Sequence, residues 1–132
     1  MKNLSVVNVL IPFGFFGKKD QGGDAGKPAK ITARNISAKD AKAIMDSGGP
    51  CTILDVRTDG EYNGGHIKGA ISIPVDEIEA RAEKKLPDKN AVILVYCQSG
   101  ARSARAARAL AGMGYTNVSN FGGIMSWPYE IV

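Results

Sequence analysis

Cross-linking and metal-binding residues are scarce in this sequence. Its 132 residues hold two cysteines, Cys51 and Cys97, too few for a disulfide framework. With one histidine, His66, no zinc-ligand set can be assembled, and no metal or organic cofactor is expected. Aromatic residues are 7% of the chain and do not interleave with a basic stripe, and no zinc-finger or RNA-binding signature occurs, so nucleic acid is not an expected partner. Charge of one sign is also missing from most of the chain. The formal net charge of +4 divides into five Lys against two Asp in residues 1–30 and 12 basic against 11 acidic residues in 31–132. The basicity therefore belongs to the N-terminal segment, and the remainder is close to neutral. The apolar stretch at residues 4–17 is interrupted by Asn8, Pro12 and Gly14 and falls short of the about 20 residues a bilayer-spanning helix needs.

What is present describes one small α/β domain, residues 31–132, behind an N-terminal extension, residues 1–30. A chain of this length buries roughly 60–70% of its unfolded surface, enough for a core without staples. Residues 4–17, LSVVNVLIPFGFFG, fit an export signal, an apolar arm packing on the domain, a partner, a second copy or a membrane surface, or a disordered segment. Residues 18–30 are Gly-rich and charged, as flexible linkers are. Cytoplasmic placement is expected, with export or peripheral membrane attachment as alternatives. The pattern then predicts a strand beginning at Ile31-Thr32 and a helix opened by a Ser37/Asp40 capping box and running to about Met45. Strands follow at Thr52–Val56 and Ala70–Ile73, with a helix over Asp76–Lys85. The most apolar stretch, Ala91–Tyr96, reads as a central parallel strand. An Ala-rich helix over Ser103–Met113 and a short strand at Asn117–Ser119 complete the series. Alternating strands and helices imply a doubly wound, open, mostly parallel sheet of about five strands flanked by helices.

In such sheets the site lies beyond the carboxyl ends of the strands. Two loops emerge there, Asp55-Val56-Arg57 and Cys97–Ser103 (CQSGARS). Cys97 stands where a nucleophile would be placed, whereas Cys51 lies at the amino end of its strand, about 15 Å away for strands of five residues. A disulfide needs Cα atoms within about 7 Å, which excludes this pair. Gly100 lets the loop curl so that successive N–H groups point inward. The helix beginning near Arg102-Ser103 adds its positive end, and Arg102 a permanent charge. Each of these lowers a thiol pKa from its free value of about 8.5. The alternative is a buried structural cysteine on a central strand.

The runs LDVRTDGEYNGGHIKGAISIP (Leu54–Pro74), VYCQSGARS and GYTNVSNFGGIMSW (Gly114–Trp127) together resemble a single rhodanese domain of the sulfurtransferase family, over about residues 31–127. The resemblance implies covalent catalysis through a persulfide on Cys97, taking sulfur from a donor such as thiosulfate and giving it to cyanide, a thiol or a protein acceptor. It makes Cys97 the catalytic candidate. It assigns Gln98, Ser99, Gly100, Ala101, Arg102 and Ser103 to the cradle for substrate and persulfide, with Arg57 a further substrate-binding candidate. Arg102 is expected to shape the loop and bind anionic donor groups.

Two other functions compete. Cys-based phosphatases and arsenate reductases on related folds place five residues between Cys and Arg, but Cys97 and Arg102 have four between them, which suits sulfur better than a tetrahedral oxyanion. Non-catalytic rhodanese-like binding modules commonly lose the Cys, which is kept here. The same resemblance gives His66 a turn-bracing role and Trp127 a packing role. Asp55 and Arg57 are expected to pair, with Glu61 joining them, and Arg105 and Arg108 to lie on a solvated helix face, with anion steering by Arg105 near the mouth as the alternative.

Overall fold

The stretch Ile93–Cys97 has five consecutive buried residues, as a parallel strand covered on both faces should. Its period-two alternation sends Ile93, Val95 and Cys97 into one apolar cluster and Leu94 and Tyr96 into another. Burying each of the larger aliphatic side chains contributes about 1.5–3 kcal/mol, so this strand anchors both cores. The computed structural model describes residues 33–132. The N-terminal arm and linker of residues 1–30, with their membrane-surface and self-association readings, lie outside the described residues, as does the strand start at Ile31-Thr32.

In chain order the elements are β1 (Arg34–Asn35), α1 (Ala38–Asp46), β2 (Thr52–Asp55), α2 (Asp59–Asn63), β3 (Ile71–Ser72), α3 (Ile78–Lys85), β4 (Ile93–Cys97), α4 (Ala101–Gly112) and β5 (Val118–Gly123). Short 3₁₀ turns at Val75–Glu77 and Ile124–Ser126 lead into α3 and follow β5. The sheet is five-stranded and parallel throughout, in the order β1-β5-β4-β2-β3. One face is covered by α3 and α4 through Ile78, Ala82, Ala106, Ala107 and Leu110. The other packs against Ala41 of α1 and the aromatic pair Phe121 and Trp127. No helix among the described residues is long and apolar enough to cross a membrane.

Three boundaries depart from the sequence pattern. α2 is not visible as a hydrophobic period, since none of its residues is buried; it is held by the Thr58/Glu61 capping box, both halves of which are formed. β5 extends to Gly123 rather than ending at Ser119, because Asn120 and Gly123 pair with Val95 and Cys97 of β4. α4 begins at Ala101, earlier than expected, with Gly100 at its N-cap in the positive-φ region at 116°.

Candidate active site

Cys97 is the last residue of β4, and α4 starts at Ala101, so Gln98, Ser99 and Gly100 are all the chain has to reverse direction. The positive φ of Gly100 makes that turn possible and brings its own N–H back to donate to Cys97 Sγ at 3.0 Å. The end of β5 is the floor on which this loop rests. A Cβ at Gly123 would lie 2.1 Å from the Gln98 carbonyl oxygen and 2.6 Å from Ser99 Cα, so only glycine permits the loop to pack there. The Met125 N–H closes the same contact, donating to the Gln98 carbonyl at 3.3 Å.

Cys97 is 1% exposed. Burial pushes its thiol up, but hydrogen bonds from the Ser103 hydroxyl and from the backbone N–H groups of Ser103, Gly100 and Ser99 outweigh it and hold the pKa below its ordinary value. Ser103 has one hydroxyl proton and faces competing acceptors: Asn120 Oδ1 at 2.7 Å, the Gly100 carbonyl at 3.0 Å and the Gly122 carbonyl at 3.3 Å. One proton serves all of these acceptors and the sulfur, so the backbone amides are the dependable part of the set. Such a cradle can hold negative charge on the sulfur or on an atom bonded to it.

The charges nearby are arranged differently from expectation. Arg102 is engaged in an ion pair. Its Nη1 and Nη2 donate to Glu61 Oε1 and Oε2 at 2.8 and 3.1 Å, joining α4 to α2. Glu61 is thereby committed to Arg102 rather than to Asp55 and Arg57. Its carboxyl is pulled down to about 2, chiefly by Arg102 and next by the Thr58 N–H. Arg102 acts on Cys97 only through its charge; the hydrogen bonds that lower the Cys97 pKa come from loop amides and a hydroxyl.

Arg57, a substrate-binding candidate, is 4% exposed and lies beneath the loop. Its Nε and Nη2 donate to Asp55, Nη2 also to the Gly65 carbonyl at 2.7 Å, and Nη1 to Gln98 Oε1 at 3.3 Å. Asp55 in turn accepts from the Tyr96 hydroxyl at 2.7 Å, and that hydroxyl accepts from the Ile67 N–H. This corrects Arg57 from a substrate contact to a brace that fixes Gln98. The expected Asp55–Arg57 pair is present; Tyr96, buried at its centre, gave no sequence signal beyond its place on β4.

Arg105 faces Asp76 at 2.5 Å on the surface, so it too is paired rather than free to steer anions. His66 stacks on Tyr62 at 3.8 Å with its Nδ1 against the Tyr62 carbonyl, a turn-bracing place. Trp127 is packed against Phe121 and Tyr129. Cys51 stands at the opposite end of the sheet, just before β2, and both thiols are free. Among the described residues, no cluster of three or more His, Cys, Asp or Glu is placed to hold a metal ion.

Residues 37–129 match the family profile of the rhodanese-like domain. The chain belongs to the rhodanese-like domain family. The rhodanese-like chain is similar to thiosulfate sulfurtransferase PspE of Escherichia coli, with 44% identity over 54% of this chain and 68% of that one. It is similar to the human thiosulfate:glutathione sulfurtransferase, with 32% identity over 69% of this chain and 89% of the relative. The matched region spans 53% and 62% of two Bacillus subtilis relatives. Among solved structures, a rhodanese with anions from E. coli superposes with a TM-score of 0.60 at 38% identity, covering 63% of this chain and 98% of that one. The fold is thus rhodanese-like, and the relatives place the domain among sulfurtransferases.

Proposed function

We propose that this rhodanese-like domain transfers sulfane sulfur through a persulfide on Cys97, without a metal or organic cofactor. The observation that carries the reading is the Gly100 N–H on Sγ at 3.0 Å, in a loop whose amides lower the pKa of a thiol that is 1% exposed. The Cys97 thiolate attacks the outer sulfur of a donor such as thiosulfate. A bond forms from Sγ to that sulfur, the donor's own S–S bond breaks, and sulfite leaves with the electron pair. The persulfide anion then sits where the thiolate did, within reach of the same amides. Cyanide or a thiolate acceptor attacks the outer sulfur, and the Cys97 thiolate departs, restoring the enzyme. Similarity to the human thiosulfate:glutathione sulfurtransferase favours a small thiol such as glutathione as acceptor. The engagement of Arg102 by Glu61 weighs against phosphatase chemistry, which needs a guanidinium on the oxyanion.

Intact-protein mass spectrometry after brief incubation with thiosulfate tests this. The expected result is a gain of one sulfur atom on the wild type, removed by cyanide and missing from Cys97→Ser. A sulfur adduct that persists in Cys97→Ser would refute the assignment.

A further inference from the structure

The loop amides hold a negative sulfur, yet the fixed charges around them cancel in pairs: Arg57 with Asp55, Arg102 with Glu61, Arg105 with Asp76. Glu61–Arg102 differs from the other two. The Asp55–Arg57 pair is buried and the Arg105–Asp76 pair is open to solvent, while the side chains of Arg102 and Glu61 are 35% and 32% exposed. It also joins the first turn of the helix that follows the loop to the neighbouring α2. The carboxylate is the fixed partner. Glu61 Oε1 accepts from the Thr58 N–H and the Thr58 hydroxyl, both at 3.0 Å, so the capping box holds it in place and the longer arginine reaches across to it. Both Nη atoms are then occupied by a group of opposite charge.

We propose that Glu61 is a specificity-determining residue for the sulfur donor. By engaging both ends of Arg102 it cancels the cation that the CQSGAR loop would otherwise present, and so disfavours a dianionic donor relative to one with the same chemistry and one charge fewer. The proposal rests on the sulfur-transfer reading. Thiosulfate and an organic thiosulfonate form the matched pair of donors: each gives its outer sulfur to the Cys97 thiolate as its S–S bond breaks. The leaving group is sulfite in one case and a sulfinate in the other, each departing with the bonding pair.

The test is a charge cycle read with both donors. Glu61→Gln keeps the capping box, which glutamine also forms, and frees the charge of Arg102. Arg102→Gln leaves Glu61 uncompensated, and the double variant restores neutrality. At low ionic strength the KM for thiosulfate is expected to fall about fivefold in Glu61→Gln, rise by a similar factor in Arg102→Gln, and return near wild type in the double variant. Benzenethiosulfonate should follow the same order with about twofold steps, since it carries half the charge, and both spreads should collapse at about 0.5 M salt. Equal losses of kcat for both donors, unaffected by salt and not restored in the double variant, would mean that the pair is merely structural and would overturn the proposal. Failure of both donors to load a sulfur onto the wild-type thiol is a different result, which refutes the parent reading and this proposal with it.

Discussion

The two cysteines stand at opposite ends of one parallel sheet, and their environments invert the usual link between exposure and reactivity. Cys51, at the amino end of β2, is partly exposed, yet burial by its neighbours pushes its thiol up and no hydrogen bond offsets that. Cys97, at the carboxyl end of β4, is nearly inaccessible, yet its pKa is lowered. Accessible area therefore does not distinguish them. What does is the direction of the backbone: at the carboxyl end of a parallel strand the chain turns into a helix whose first N–H groups are unsatisfied and face the last strand residue. At the amino end no such donors converge.

Removing the nucleophile breaks the comparison most completely. Cys97→Ser is expected to abolish sulfur loading while the fold remains, and Cys51→Ser to leave turnover within about twofold, as measured by thiocyanate formation from thiosulfate and cyanide. Loss of activity in Cys51→Ser would reverse the assignment of the two thiols. Gly123→Ala attacks the amides rather than the sulfur. Its new Cβ would meet the Gln98 carbonyl oxygen at 2.1 Å, so the loop must shift. Turnover should fall on the order of 100-fold with the thiol still present, and the Cys97 pKa should rise toward its ordinary value. A Gly123→Ala enzyme with the wild-type pH–rate profile would show that loop geometry does not control the thiolate.

A milder probe compares the thiols directly. Iodoacetamide alkylation, mapped by peptide mass spectrometry across pH 6 to 10, should modify Cys97 with a midpoint below the ordinary thiol value and Cys51 with a midpoint above it. Coincident midpoints would remove the distinction.

Much of this was legible in the sequence because it rests on local pattern. The all-apolar run ending at Cys97 marks a central strand, and the strand-to-helix turn after it locates the site. What escaped is long-range pairing. Arg102 reads as a free cation beside the thiol, but its partner is Glu61, 41 residues earlier, on a helix with no buried residue and hence no hydrophobic period. Nothing local to Gly123 says that another loop lies across its face. The pairing of Arg57 with Asp55 is legible, but its contact with Gln98 depends on β2 and β4 being neighbours. The Thr58-x-x-Glu61 box was the available clue to α2, and through it to the partner of Arg102.

The smallest expected effect is also the one that sets the two thiols against each other on a common scale. A group whose folded pKa is depressed binds its proton more weakly folded than unfolded, so its ionisation adds stability as pH rises from the folded pKa to the ordinary value. For Cys97 that window lies below its ordinary value, and wild type should gain stability over Cys97→Ser through it. Cys51 is shifted the other way. Its proton is held more tightly in the fold, so stability relative to Cys51→Ser should be lost as pH rises from the ordinary value toward the higher folded pKa. Each slope is bounded by one proton, about 1.4 kcal/mol per pH unit, and should fall well below that. Urea titrations of the three proteins between pH 7 and 10 would read both slopes. Opposite signs are required if the amides at one end of the sheet, and burial at the other, are what separate the two cysteines; parallel slopes would mean that a shared environment governs both.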